Sequence, residues 1–283
     1  MPHERIEREL FADFRIRSVM FTGSTRIGKI VGELSGKYLK KSLIELGGSD
    51  PLIVFSDADI DKAVECAAEG RLRNTGQACI CAKRIIVHEK IYDQFISKIT
   101  NEVKGKYPIG DPTDPNTKLG PIARLDLFLN LKRQLIESLE SNSAELVEGN
   151  LSDIDIDNYE LDQGNFFKPL FLHNIQKNSV ARQEEIFGPV FSFYKFSTDK
   201  EALDLANETE YGLGASIFTK DINKANLLAR QIDSGMVFIN TATFSDSRLP
   251  YGGVKNSGYG RTSADNALYE FTNNKVISLK KSK

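Results

Sequence analysis

The sequence predicts an α/β fold with a parallel-rich sheet flanked by helices. Three observations predict it. Apolar runs rich in β-branched and aromatic residues recur along the chain. Helix-period segments alternate with these runs instead of grouping apart from them. Acidic residues begin two of those segments (Asp59 and Asp61 in one, Asp199 in another), as N-capping and the helix dipole require.

In chain order, RSVMF reads as a strand that enters a Gly-Ser-Thr turn, and IGKIVGELSGKYL continues it as a helix. KSLIEL and PLIVF are the next strands, followed by the helix DIDKAVECAAEGRL. RIIVH is a strand; KIYDQFISKITNEV and ARLDLFLNLKRQLIESLE are helices. FFKPLFL and FSFYKF are strands, and DKEALDLANE is the helix after them. GASIFT, the helix NKANLLARQI and GMVFIN complete the alternation. The closing stretch NNKVISLKK alternates like a strand.

Two segments read as loops. Tyr107 to Pro121 has three interior prolines, and residues 148–165 form an acidic, turn-rich stretch expected to be an exposed insertion. Within the latter, Asp153, Asp155 and Asp157 imitate the start of a calcium loop, but Asn158 stands where the loop needs Gly. No calcium site is expected.

Composition narrows the function classes. The chain has 283 residues, 27% charged and 40% hydrophobic, with a net charge of −2. This suits a globular domain and gives no general attraction to nucleic acid or to an anionic membrane. No apolar run approaches a membrane span, and MPHERIEREL lacks the apolar centre of a signal peptide, so a cytoplasmic location is expected. Three cysteines (Cys66, Cys79, Cys81) are too few for a disulfide framework, and the three histidines do not cluster with them for zinc. Before residue 50 only two strands and two helices can be placed, where a doubly wound dinucleotide domain needs several βαβ units. The chain is therefore expected to begin inside a domain, with only a remnant of a Rossmann-type cofactor domain.

From Gly23 the chain reads G-S-T-R-I-G-K, close to a nucleotide-hydrolase P-loop. Ile30 follows in place of the hydroxyl residue that would ligate magnesium, so a hydrolase is not expected. The strand-turn-helix order still aims backbone N–H groups at an anion. In RNTGQACICAKR, two thiols lie one residue apart, with Arg71, Arg73, Lys83 and Arg84 nearby. Those cations would lower a thiol pKa and make one of the pair a nucleophile; the plainer reading is two small buried residues. In SLIELGGSDPLIV, Glu45 closes an apolar strand against Gly47 and Gly48. It is either a solvated strand end or a general base with a raised pKa.

ELGG and, 34 residues after Glu45, the cysteine of G-Q-x-C resemble the aldehyde dehydrogenase superfamily. ARQEEIFGPV is similar to its E-x-F-G-P segment, FIN followed by PYGGVKNSGYGR to its C-terminal signature, and FTGSTRIG to its cofactor-phosphate turn. ELGGSDPLIV and GQACICAKR look most like the succinate-semialdehyde dehydrogenase branch. The resemblance implies an aldehyde dehydrogenase-like catalytic domain and oxidation of an aldehyde, succinic semialdehyde above others, to a carboxylic acid with NAD or NADP. It implies Cys79 as nucleophile and oxyanion donor through its N–H, and Glu45 as the base that activates water. Gly23, Ser24 and Gly47 would lie against the cofactor, Glu185 would hold the nicotinamide ribose and Phe187 would pack near the nicotinamide. Some members of that branch carry a C-x-C pair, so Cys81 is either packing or a redox partner of Cys79; Cys66 is expected in the core.

The expected domains are 1–48 (cofactor-domain remnant), 49–250 (catalytic), 251–270 (return to the remnant) and 271–283 (oligomerisation strand). Complete members are longer, and the half expected to be missing would hold the adenosine-ribose grip and the second oxyanion donor. A homo-oligomer, or association with a separate N-terminal half chain, is expected. The alternatives are an inactive subunit serving only in association, or a cofactor-independent thiol esterase.

Overall fold

A computed structural model describes residues 9–148 and 164–280. The calcium-like Asp153–Asn158 stretch lies outside the described residues. Strands β1 (Ser18–Thr22), β2 (Lys41–Glu45) and β10 (Gly258–Tyr259) form a small sheet in the order β1-β2-β10. β1 runs parallel to β2, and β10 returns antiparallel, placing Gly258 opposite Glu45. Gly258 has φ 104°, and a Cβ there would lie 1.9 Å from the Ile44 carbonyl oxygen, so only glycine permits this return.

The larger sheet has the order β5-β6-β7-β4-β3-β8-β9. Its strands are β3 (Asp50–Val54), β4 (Ala82–His88), β5 (Glu145–Leu146), β6 (Leu170–His173), β7 (Val190–Phe196), β8 (Gly214–Phe218) and β9 (Met236–Ile239). All neighbours are parallel except the edge pair β5–β6. Central β3 and β8 are buried at every residue, which explains their continuous apolar runs. Phe171, Phe191 and Phe193 stack across β6 and β7. Helix Ile60–Leu72, capped by Asp59, and helix Tyr92–Lys106 pack Ala63, Ala67, Phe95 and Ile99 onto one face. Helices Leu125–Glu140, Asp199–Asn207 and Ile222–Ala229 cover the other with Leu131, Leu135, Ala202 and Ala225.

Asp199 begins its helix as expected, directly after the cap Thr198, whose hydroxyl accepts from Glu201 N–H. One reading changes. FFKPLFL forms a strand only from Leu170, because Pro169 precedes the ladder and lacks an N–H. Among the described residues, 273–280 pair with no strand, and Val276, Ile277 and Leu279 are more than four-fifths exposed.

Candidate active site

Helix Thr25–Lys37 starts directly after β1 and the Gly23-Ser24 turn. Ser24 is its N-cap, and its hydroxyl accepts from Ile27 N–H at 3.5 Å. Gly23 N–H donates to Glu45 O at 3.1 Å, which ties the turn to the end of β2. A Cβ at Gly28 would come within 2.2 Å of the Leu46 side chain. The helix is thus seated against the chain just beyond Glu45, with its N-terminus and dipole at the turn.

The thiol turn is built by strain and by one buried cation. Asn74, Thr75 and Gly76 all have positive φ, at 51°, 57° and 76°. Thr75 is β-branched, so this conformation is costly. Its buried hydroxyl is held on Gly120 O at 3.2 Å. Gln77 fastens the loop by donating to Asn74 O and Pro121 O and accepting from Ala123 N–H. The Arg71 guanidinium is fully buried and donates to the carbonyls of Val190, Ile186, Gly188 and Gly76. It clamps the segment carrying Glu185 and Phe187 to the turn carrying Cys79.

The expectation that four cations acidify Cys79 is corrected here. Arg71 is spent on carbonyls. Arg84 donates to Ser49, Leu205 and Ala206 carbonyls, and Arg73 leans on Glu69 at 3.7 Å. Lys83 alone of the four bears on the thiol, and burial outweighs it: the Cys79 pKa is raised above the ordinary value. Tyr251 and Lys83 pull it down, while Asp50 and Glu185 push it up further.

Lys83 spends its ammonium on three acceptors: Cys79 O at 2.8 Å, Ala78 O at 3.1 Å and Glu185 Oε1 at 2.9 Å. Glu185 Oε1 also accepts from Gly48 N–H at 3.1 Å. A Cβ on Gly47 would lie 2.1 Å from Glu185 Oε2, so glycine at 47 is what lets this carboxylate approach. Phe187 is half-buried, with the Lys83 ammonium 5.8 Å from its ring centre.

Tyr251 and Thr262 were not assigned roles from the sequence, although Tyr251 stands inside the quoted PYGG. Tyr251 Oη lies 3.2 Å from Cys79 Sγ. The Tyr251 and Thr262 backbones exchange two 2.7 Å hydrogen bonds. Thr262 Oγ1 then donates to Glu45 Oε1 at 2.6 Å. One two-residue bridge therefore grips both the thiol and the carboxylate. Glu45 is 8% exposed, so the solvated strand-end reading is overturned. Asp50 was also missed. It is buried at the head of β3, with Oδ1 on Gly214 N–H at 3.0 Å and Oδ2 buried without a hydrogen bond. Burial pushes its pKa up to about 6. Cys81 is buried as a free thiol and donates to Arg73 O at 3.6 Å, apart from the partner of Cys79; half-buried Cys66 packs against the core.

A strained turn leading to a half-buried thiol, a clamped carboxylate and a helix N-terminus tied to the end of β2 thus lie within one α/β fold. The aldehyde dehydrogenase family model matches residues 2–277, and the chain belongs to the aldehyde dehydrogenase family. The succinate-semialdehyde dehydrogenase [NADP(+)] of Deinococcus radiodurans is 40% identical over 269 residues, covering 95% of this chain and 54% of that protein. The Escherichia coli succinate semialdehyde dehydrogenase [NAD(P)+] Sad is 39% identical, covering 95% and 56%. A solved structure of succinic semialdehyde dehydrogenase from Streptococcus pyogenes, in complex with NADP+, matches with a TM-score of 0.90 at 36% identity, covering 99% of this chain and 60% of that one. The chain spans about half the length of the curated relatives it matches.

Proposed function

We propose that this chain carries the thiol and carboxylate machinery of an NAD(P)-dependent aldehyde dehydrogenase, with succinic semialdehyde as the favoured aldehyde. The observation that carries the reading is the Tyr251–Thr262 bridge, which holds Cys79 by one side chain and Glu45 by the other. The names of the relatives support the substrate class and the cofactor.

In this reading the Cys79 thiolate attacks the aldehyde carbon, and the developing oxyanion meets the Cys79 backbone N–H. When bound, a nicotinamide would supply the hydride acceptor, leaving a thioester on Cys79. Glu45 accepts a proton from water, which cleaves the thioester and releases the acid. The residues fit a dinucleotide at its phosphate end: the Gly23-Ser24 turn heads a 13-residue helix, and Gly28 lets that helix close on Leu46. Glu185 fits a ribose through Oε2, because its Oε1 is already engaged by Lys83 and Gly48. Because burial raises the Cys79 pKa, the rate is expected to climb as pH rises toward the thiol pKa.

The experiment is reduced-cofactor formation by the purified chain, with NAD or NADP and a panel of aldehydes that includes succinic semialdehyde. Turnover abolished by Cys79→Ala, and stalled after acylation in Glu45→Gln, is the expected result. Turnover that survives in Cys79→Ala would sink the reading.

A further inference from the structure

We propose that Tyr251 is a positioning residue for the thiol: its hydroxyl donates to the Cys79 thiolate and holds the sulfur at one place in the site. The hydroxyl is 3.2 Å from Sγ, within the reach of an O–H···S hydrogen bond. Tyr251 is 9% exposed and packs with Ile80 and Leu213, and Cys79 and Met236 pack against the same cluster. Its backbone is fixed on both sides by the exchange with Thr262. The phenol therefore has little freedom to leave the sulfur, and water has little access to replace it.

The donor direction follows from the surroundings. Burial together with the nearby Cys79, Asp50 and Glu45 disfavours a tyrosinate, so the phenol keeps its proton. A protonated phenol facing a thiolate can only donate. Among the groups that face Cys79, Lys83 shares the stabilising role, and Asp50 and Glu185 oppose it. Lys83 is already divided among Glu185 and two carbonyls, which leaves the phenol as the donor directed at sulfur. No bond is made or broken by Tyr251 in this role.

The inference concerns the thiol's acidity, which is measurable without turnover; only its catalytic meaning rests on the proposed dehydrogenase reading. The test is the pH profile of iodoacetamide alkylation, read at the Cys79 peptide by mass spectrometry so that Cys66 and Cys81 do not contribute. Tyr251→Phe removes one oxygen and keeps the ring. Its profile midpoint is expected to move up by about one pH unit, making alkylation roughly ten-fold slower below the midpoint. The midpoint separates acidity from access, because a thiol that is only better exposed reacts faster at the same midpoint. Met236→Leu changes the packing against the same cluster without touching a hydroxyl and is expected to leave the midpoint in place. An unchanged or lowered midpoint in Tyr251→Phe, or an equal shift in Met236→Leu, overturns the proposal. If Tyr251→Phe does not fold, as judged by its thermal transition, Tyr251→Leu is read by the same criteria. Failure of the dehydrogenase reading would appear separately, as turnover that persists in Cys79→Ala.

Discussion

Asp50 makes the stability of this fold depend on pH, and Asp50→Asn should remove that dependence. The carboxyl is 1% exposed, and its pKa moves from the ordinary 3.8 to about 6, with burial as the main cause and Lys83, the Gly214 N–H and Arg84 opposing it. The folded state thus binds this proton more tightly than the unfolded state. The stabilisation is complete below about pH 4 and is lost as pH rises through about 6. The interval between the two values corresponds to about 3 kcal/mol. Asparagine keeps the side-chain oxygen that accepts from Gly214 N–H and carries no charge to bury. The assay is urea unfolding of both proteins at pH 4 and pH 7. Subtracting wild type from variant at each pH cancels the other titrating groups. The difference should move in favour of the variant by about 2.4 kcal/mol between the two pH values, since the unfolded carboxyl is already partly ionised at pH 4. A difference that stays constant, or moves against the variant, would refute the argument that Asp50 is charged and poorly compensated at neutral pH.

Three further perturbations follow from the same geometry. Arg71→Met leaves the carbonyls of Ile186, Gly188 and Val190 without their buried donor and should cost about 3–5 kcal/mol in denaturant unfolding; a loss below about 1 kcal/mol would mean the clamp is not stabilising. Gly76→Ala puts a Cβ 2.2 Å from Gly188 O at a φ of 76°, so a loss of at least about 2 kcal/mol is expected, together with slower Cys79 alkylation; an alanine variant as stable as wild type would contradict the close approach. Glu185→Gln removes a negative charge that raises the thiol pKa and that pairs with Lys83, so the Cys79 alkylation midpoint should fall; a rise would refute that role of Glu185.

How much of this was legible in the sequence depended on the range of the interaction. The strands and helices of the large sheet were legible because their apolar period is local, as in fully buried PLIV or in the 3.6-residue spacing of helix Leu125–Glu140. Cys79, Glu45 and the Gly23-Ser24 turn could be singled out because each sits in a short motif. The Tyr251–Cys79 pair spans 172 residues and the Thr262–Glu45 pair spans 217, and no periodicity encodes either.

The cations around Cys79 show the sharper failure. Counting positive charges near a thiol assumes that each acts on it, and here two guanidiniums are consumed by carbonyls before they can. Arg71 and Arg84 shape the site by holding backbone. Once they are discounted, burial dominates, and the resting thiol is less acidic than an exposed cysteine. The partial burial of the thiol strengthens each hydrogen bond that remains. The acidity of Cys79 is therefore set by a short list, Lys83 and the Tyr251 hydroxyl against Asp50 and Glu185. Changing any one of the four should register in the thiol titration, whereas Arg73, half out in solvent and leaning on Glu69, should leave it unmoved.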